Sequence, residues 1–255
     1  AMVSFYQKAL KVGIKPLLGS TLVITYADKK INCSVYCKNI EGFRLLSTAI
    51  SSLFQKTPFD NCLQINSLKN TGQLLIIVHQ DIASLDSYDF DRCHDELLKN
   101  FDKNDIFFGV ERYKDDNHSF QESKIILHEA SKRNIATVCA NKVFFLKEED
   151  YQCQQIKYCI QKGLYLSDNT RTVKHFPGQY LYDIEQLQQL FADCPTVLSN
   201  TLSIAKKCTL EIDFSSVFLP QFSDDENLTL RQMALIGLQE REESSHLYCD
   251  DSNKY

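Results

Sequence analysis

Glycine and proline are scarce in this 255-residue chain, at eight and five residues, and no stretch carries the spacing of a Walker A loop or a G-x-G-x-x-G turn. A nucleotide cradled by a glycine-rich loop is thereby excluded. Long apolar runs are missing as well: Leu74-Leu75-Ile76-Ile77-Val78 is among the longest, far short of the ~20 residues a bilayer-crossing helix needs. The start of the chain has no charged segment leading into an apolar one, so neither membrane insertion nor secretion is expected and the location is read as cytoplasmic. Positive charge is not in excess: 28 Lys+Arg stand against 33 Asp+Glu, a formal net charge of -5. This removes the basic field of an autonomous nucleic-acid binder, and primer-template DNA is not expected to be held by this chain alone.

What is present is enough apolar material, 44% of residues, to bury one large core or two modest ones. The ten cysteines are scattered, several within apolar helical or strand patterns, and read as reduced, mostly buried thiols. Leu22-Val23-Ile24-Thr25, Leu74 to Val78, Ile106-Phe107-Phe108 and Ile135-Ala136-Thr137-Val138-Cys139 read as buried strands, their continuous apolar character suggesting parallel pairing covered on both faces. Amphipathic helices fall between them, at residues 41–54, 92–101 and 119–133. The pattern is an α/β domain. From about residue 148 the chain turns to helices joined by polar loops, and residues 242–255 are polar without periodicity.

In a parallel α/β sheet, functional side chains collect where strands end at their carboxyl side. Those positions hold Thr25 and Tyr26, His79, Glu111, and Asn141 with Lys142. His79 and Glu111 are the pair suited to metal or acid-base work. One imidazole and one carboxylate cannot close a metal's shell, so a hydrogen-bonded rim histidine and a solvated carboxylate are the plainer expectation. Asp89-Phe90-Asp91 has the D-x-D form of a Mg²⁺ site, but its place at a helix start favours capping. Cys33 with Cys37, and Cys153 with Cys159, lack histidines at zinc-finger spacing, and His128-Glu129 lacks the second histidine of H-E-x-x-H.

Several stretches resemble one family, the amino-terminal polymerase and histidinol phosphatase (PHP) domain of bacterial DNA polymerase III alpha subunits. Met2-Val3-Ser4-Phe5-Tyr6 leading into Gly13-Ile14-Lys15-Pro16-Leu17-Leu18-Gly19 resembles the helix and "GIKPIIG" strand of that domain. Asn39-Ile40-Glu41-Gly42-Phe43-Arg44-Leu45-Leu46 matches its "N-x-x-G-[YF]-x-N-L" helix start. Leu190-Phe191-Ala192-Asp193-Cys194-Pro195, Asn200-Thr201 and Ile204-Ala205-Lys206-Lys207-Cys208 together are similar to "LFADIPEALxNTxEIAxRC", and Phe218-Leu219-Pro220-Gln221-Phe222 to the "LPxF" before the palm.

The resemblance implies an irregular parallel β/α barrel lacking its first strands, followed by a helical extension. Residues 1–147 would form the truncated barrel core, 148–222 the remaining PHP region and helical connection, and 223–255 the start of the linker toward the palm domain. The family's H-x-H strand would lie upstream of Met2, and Ala1 resembles a cloning remnant, so the chain is expected to be an excised piece. Thr21 stands where the family has a metal-binding Glu. Lys142 and Phe144, in Cys139-Ala140-Asn141-Lys142-Val143-Phe144, replace the Asp and His ligands of "ATNDVHYL". A hydroxyl, an ammonium and a phenyl ring cannot hold a divalent ion, so no cofactor is expected here, and Mg²⁺ belongs to the palm of the parent. The resemblance thus implies a catalytically silent scaffold within a DNA-directed DNA polymerase, with the proofreading exonuclease subunit and other polymerase III holoenzyme subunits as partners. The alternatives are a metal-dependent phosphoesterase with residual activity through His79 and Glu111, and a freestanding paralogue without polymerase function.

Overall fold

The computed structural model describes residues 2–26, 29–55, 62–68, 72–167, 176–215 and 221–244. Among them the strands are β1 (Gly19–Tyr26), β2 (Lys29–Cys37), β3 (Cys62–Gln64), β4 (Leu74–Val78), β5 (Ile106–Val110) and β6 (Ala136–Cys139). The helices are α1 (Met2–Lys11), α2 (Ile40–Phe54), α3 (Ser87–Asn100), α4 (Asn117–Arg133), α5 (Tyr151–Lys162), α6 (Ile184–Leu190), α7 (Thr196–Lys207) and α8 (Glu226–Ser244). Two units emerge, Ala1–Glu211 with the whole sheet and α1 to α7, and Ile212–Tyr255 with α8. No described helix is long and apolar enough to cross a membrane.

The sheet order is β3-β1-β2-β4-β5-β6. β4, β5 and β6 are parallel, with α3 and α4 as the connections, which is the β/α arrangement expected. The purely parallel reading needs correction at β1. That strand is parallel to β3 but antiparallel to β2, and β2 is antiparallel to β4 as well. β2 escaped the search for continuous apolar runs because its signal is alternation: Ile31, Cys33, Val35 and Cys37 are buried and the residues between them are less so. Alternation of this kind is the mark of antiparallel strands, in contrast to the uninterrupted burial of β4 and β5.

Period-two geometry divides β4 and β5 between two helix layers. Leu75, Ile77 and Phe107, with Val138, pack beneath Ile204 and Cys208 at the carboxyl end of α7 and just beyond it. The opposite face carries Phe108, whose ring lies 6.1 Å from Phe90 of α3. Polar anchors fix α7: Asn200 Nδ2 donates to Thr137 O at 2.7 Å, and the buried Asp105 carboxylate accepts from Lys207 Nζ at 3.1 Å and Lys38 Nζ at 2.8 Å. The stretch 190–208 that carries the fullest family match is therefore a docking segment. Phe218-Leu219-Pro220, by contrast, lies outside the described residues.

The N-x-x-G match also has a physical meaning. Asn39 Oδ1 accepts from Gly42 N at 3.0 Å and caps α2. A Cβ on Gly42 would stand 2.2 Å from Gln73 O. Gly42→Ala gains up to about 1 kcal/mol of helix propensity, but must push α2 off the backbone before β4, at a cost of about 3 kcal/mol. A net loss of about 2 kcal/mol is expected, read as a lowered urea midpoint.

Candidate functional site

The parallel strands β4, β5 and β6 end side by side, and the residues that follow them meet. His79, Glu111 and Lys142 form a row that β1 and β2 extend from the other side. Thr21 Oγ1 lies 3.3 Å from Ser34 Oγ, and Ser34 Oγ lies 2.8 Å from His79 Nε2. His79 Nδ1 faces Glu111 Oε1 at 3.4 Å, and Lys142 Nζ approaches the same oxygen at 3.0 Å. The other oxygen, Oε2, accepts from Tyr113 Oη at 2.8 Å, and Tyr113 Oη itself accepts from Lys142 N at 2.8 Å. Behind the row, Glu111 N donates to Gln80 Oε1 at 2.6 Å, and Gln80 Nε2 donates to Ser119 O at 2.9 Å. Asn141 pairs with the backbone of Arg112 in both directions, at 2.9 and 2.6 Å, and so continues the β5–β6 ladder beyond Cys139.

Burial sets the electrostatics. Glu111 is only 6% exposed, so the solvated carboxylate expected there is corrected: it is enclosed. Enclosure alone pushes its pKa up, but His79, Lys142 and Tyr113 together outweigh this and hold it below the usual carboxylate range. Tyr113 is pushed up, first by burial and then by the charge of Glu111. The centre of the site is thus a carboxylate neutralised by an internal ammonium. Lys142 pairs with this carboxylate and also reaches water, with 40% of its side chain exposed.

The remaining candidates fall elsewhere. Phe144 is 42% exposed, and its backbone N–H donates to Gln179 O at 3.0 Å. Thr25 Oγ1 donates to Leu63 O at 3.5 Å on β3, while Tyr26 pairs through its backbone with Lys29. Asp86, not Asp89 or Asp91, caps α3, accepting from Asp89 N at 2.8 Å. Asp89 instead pairs with Lys29 at 2.8 Å and Asp91 with Arg133 at 2.7 Å. Glu129 also binds Arg133. Cys33, Cys37, Cys153 and Cys159 are free thiols. Burial pushes Cys37 up to about 12. Ser34, Gln80 and Tyr113 were missed. Ser34 would have followed from recognising β2; Tyr113, two residues beyond Glu111, carries no such pattern.

A divalent metal does not fit the row. Its donors are two hydroxyls, one imidazole and one carboxylate, and an ammonium already occupies the carboxylate. Among the described residues no three His, Cys, Asp or Glu side chains group as a metal cluster.

No protein-family model matches the chain. It is similar to curated DNA polymerase III alpha subunits: 28% identical over 261 residues to that of Haemophilus influenzae, 27% over 256 residues to that of Escherichia coli K12, and 28% over 264 residues to that of Pseudomonas aeruginosa. Each match covers 94% of this chain and 22% of the relative, so the chain spans under a quarter of the length of these relatives. A solved structure described as a metal-dependent phosphoesterase from Bifidobacterium adolescentis is 7% identical, covers 75% of this chain and 81% of its own, and superposes with a TM-score of 0.35. That superposition is too slight to bear on chemistry.

Proposed function

We propose that this chain, a relative of DNA polymerase III alpha subunits along 94% of its length, serves as their PHP scaffold and carries no metal-dependent phosphoester hydrolysis. Its work is to support the polymerase fold and to dock the proofreading exonuclease subunit of the holoenzyme. Templated primer extension, with its Mg²⁺, belongs to the palm of the whole protein. The observation that carries this reading is the Lys142 ammonium 3.0 Å from Glu111 Oε1, at the position where the resemblance implies a metal-ligating Asp. A fixed internal cation supplies the charge balance that a divalent ion would otherwise supply.

Calorimetric titration with Mn²⁺ and Zn²⁺, followed by a phosphate-release assay, tests the silent site. No stoichiometric binding and no release are expected. Lys142→Asp with Phe144→His should not restore either, because Thr21 still lacks a carboxylate. Two or more tightly held metal ions per chain would overturn the reading. Docking is tested by co-elution with the exonuclease subunit in gel filtration, and separate elution at micromolar concentration counts against it. The second reading, residual phosphoesterase activity, is favoured by the buried approach of His79 Nδ1 and Glu111 Oε1, neither of which has an aligned hydrogen-bond partner. Metal-stimulated phosphate release that disappears with His79→Gln would establish it.

A further inference from the structure

Three consecutive members of the row have an order that a lost metal site does not require. Ser34, half-buried on β2, is registered with Thr21 on one neighbouring strand and Ile77 on the other. Its hydroxyl lies 2.8 Å from one ring nitrogen of His79, and the opposite ring nitrogen faces a buried carboxylate at 3.4 Å. Hydroxyl, imidazole and carboxylate in this sequence are the parts of an activated nucleophile. The carboxylate approaches Nδ1 without an aligned hydrogen bond and is placed to orient the ring, while Nε2 meets the hydroxyl.

We propose that Ser34, His79 and Glu111 form a metal-independent acyl-transfer site for small activated acyl esters, with Ser34 as nucleophile, His79 as general base and Glu111 as the group that orients it. As Ser34 Oγ bonds to the ester carbonyl carbon, its proton passes to His79 Nε2. Collapse of the adduct breaks the ester C–O bond, and the departing phenolate or alkoxide takes the proton from Nε2. Water then attacks the acyl-serine, again giving its proton to Nε2, and Ser34 is released with a free carboxylic acid. Tyr113 and Gln80 hold Glu111 in place, from Oε2 and from its backbone N–H respectively. Lys142 restrains the site, because it competes with His79 for Oε1. No backbone pair is assigned to the oxyanion, which restricts the chemistry to esters with good leaving groups. The absence of metal-dependent hydrolysis is untouched by this activity, which uses no metal.

The test uses the whole chain in EDTA with a fluorophosphonate probe and, separately, 4-nitrophenyl acetate, with adducts located by peptide mass spectrometry. A single adduct on Ser34 is expected in the folded protein and none after unfolding in urea. His79→Gln should slow labelling by about 100-fold, the scale of a lost general base. Lys142→Met should accelerate it, with circular dichroism confirming the fold of each variant. If His79→Gln does not fold, Glu111→Gln provides the second comparison, with slower labelling expected. No adduct on Ser34, an adduct formed equally fast in the histidine variant, or labelling confined to tyrosine or lysine overturns the proposal. The metal titration is read independently, so failure here is distinguishable from failure of the scaffold reading.

Discussion

Asp193→Ala is expected to destabilise the chain by about 3 kcal/mol, the lower end of the range for breaking a buried ion pair. The Arg112 side chain is 1% exposed and its Nη2 donates to Asp193 Oδ2 at 3.0 Å, with a second contact between Nη1 and Oδ1. Its other partners are Ser123 Oγ at 2.8 Å, Leu190 O at 3.0 Å, and the faces of Phe120 and Phe191 at 4.4 and 5.4 Å. The two ends of the pair are unequal, because the Asp193 side chain is 55% exposed. Removing the carboxylate strands a buried guanidinium, whereas Arg112→Met returns a carboxylate to water but also takes the donors from Ser123 Oγ and Leu190 O, and should cost less, about 2 kcal/mol. Urea unfolding of both variants and of the double mutant measures this asymmetry, and an arginine variant that proves the more damaging would contradict it. The Arg112 hydrogen bond holds Asp193 below the usual carboxylate range. The pair's stabilisation is therefore present above the unfolded-state pKa and lost as pH falls through the folded-state value.

Lys142→Met should remove about 2 kcal/mol at neutral pH, less than for a fully buried pair because the ammonium reaches water. It should also alter the acid limb of the stability curve. In the natural chain the depressed pKa of Glu111 gives stabilisation that is complete above the unfolded value of about 4.3 and disappears only as pH falls through the lower folded value. Without Lys142, burial is opposed by His79 and Tyr113 alone, the carboxyl rises, and acid destabilisation begins at higher pH. Unfolding free energies measured between neutral pH and pH 3 separate the cases, and superimposable profiles would dismiss Lys142 as the counter-ion.

The α/β class was legible because β4 and β5 are uninterrupted apolar runs, and the carboxyl ends of β4, β5 and β6 pointed to His79, Glu111 and Lys142. What could not be read was which of them touch. Burial of Glu111 comes with Tyr113, Gln80, His79 and Lys142 gathered around it from separate parts of the chain, a tertiary effect with no local signature. β2 was lost for a different reason: its alternation is shared with cysteines and a tyrosine that do not stand out as a β run. The aspartates of α3 show a limit of another kind. Helix position identified a capping region, but the cap fell to Asp86, while ion pairs with Lys29 and Arg133, distant in sequence, claimed Asp89 and Asp91.

The ordering of the sheet also governs misassembly. Among the described residues its outer members are short, three residues in β3 and four in β6, so these offer few unpaired amides and carbonyls for an additional strand from another molecule. Leu74–Val78 and Ile106–Val110, the segments with the composition of a cross-β template, occupy inner positions between paired neighbours. Detachment of β6 with α7 uncovers the length of β5, and so converts a local opening into an adhesive edge. The polar anchors of α7, Asn200 to Thr137 and Lys207 to Asp105, thereby act as guards against aggregation as well as contributing to stability.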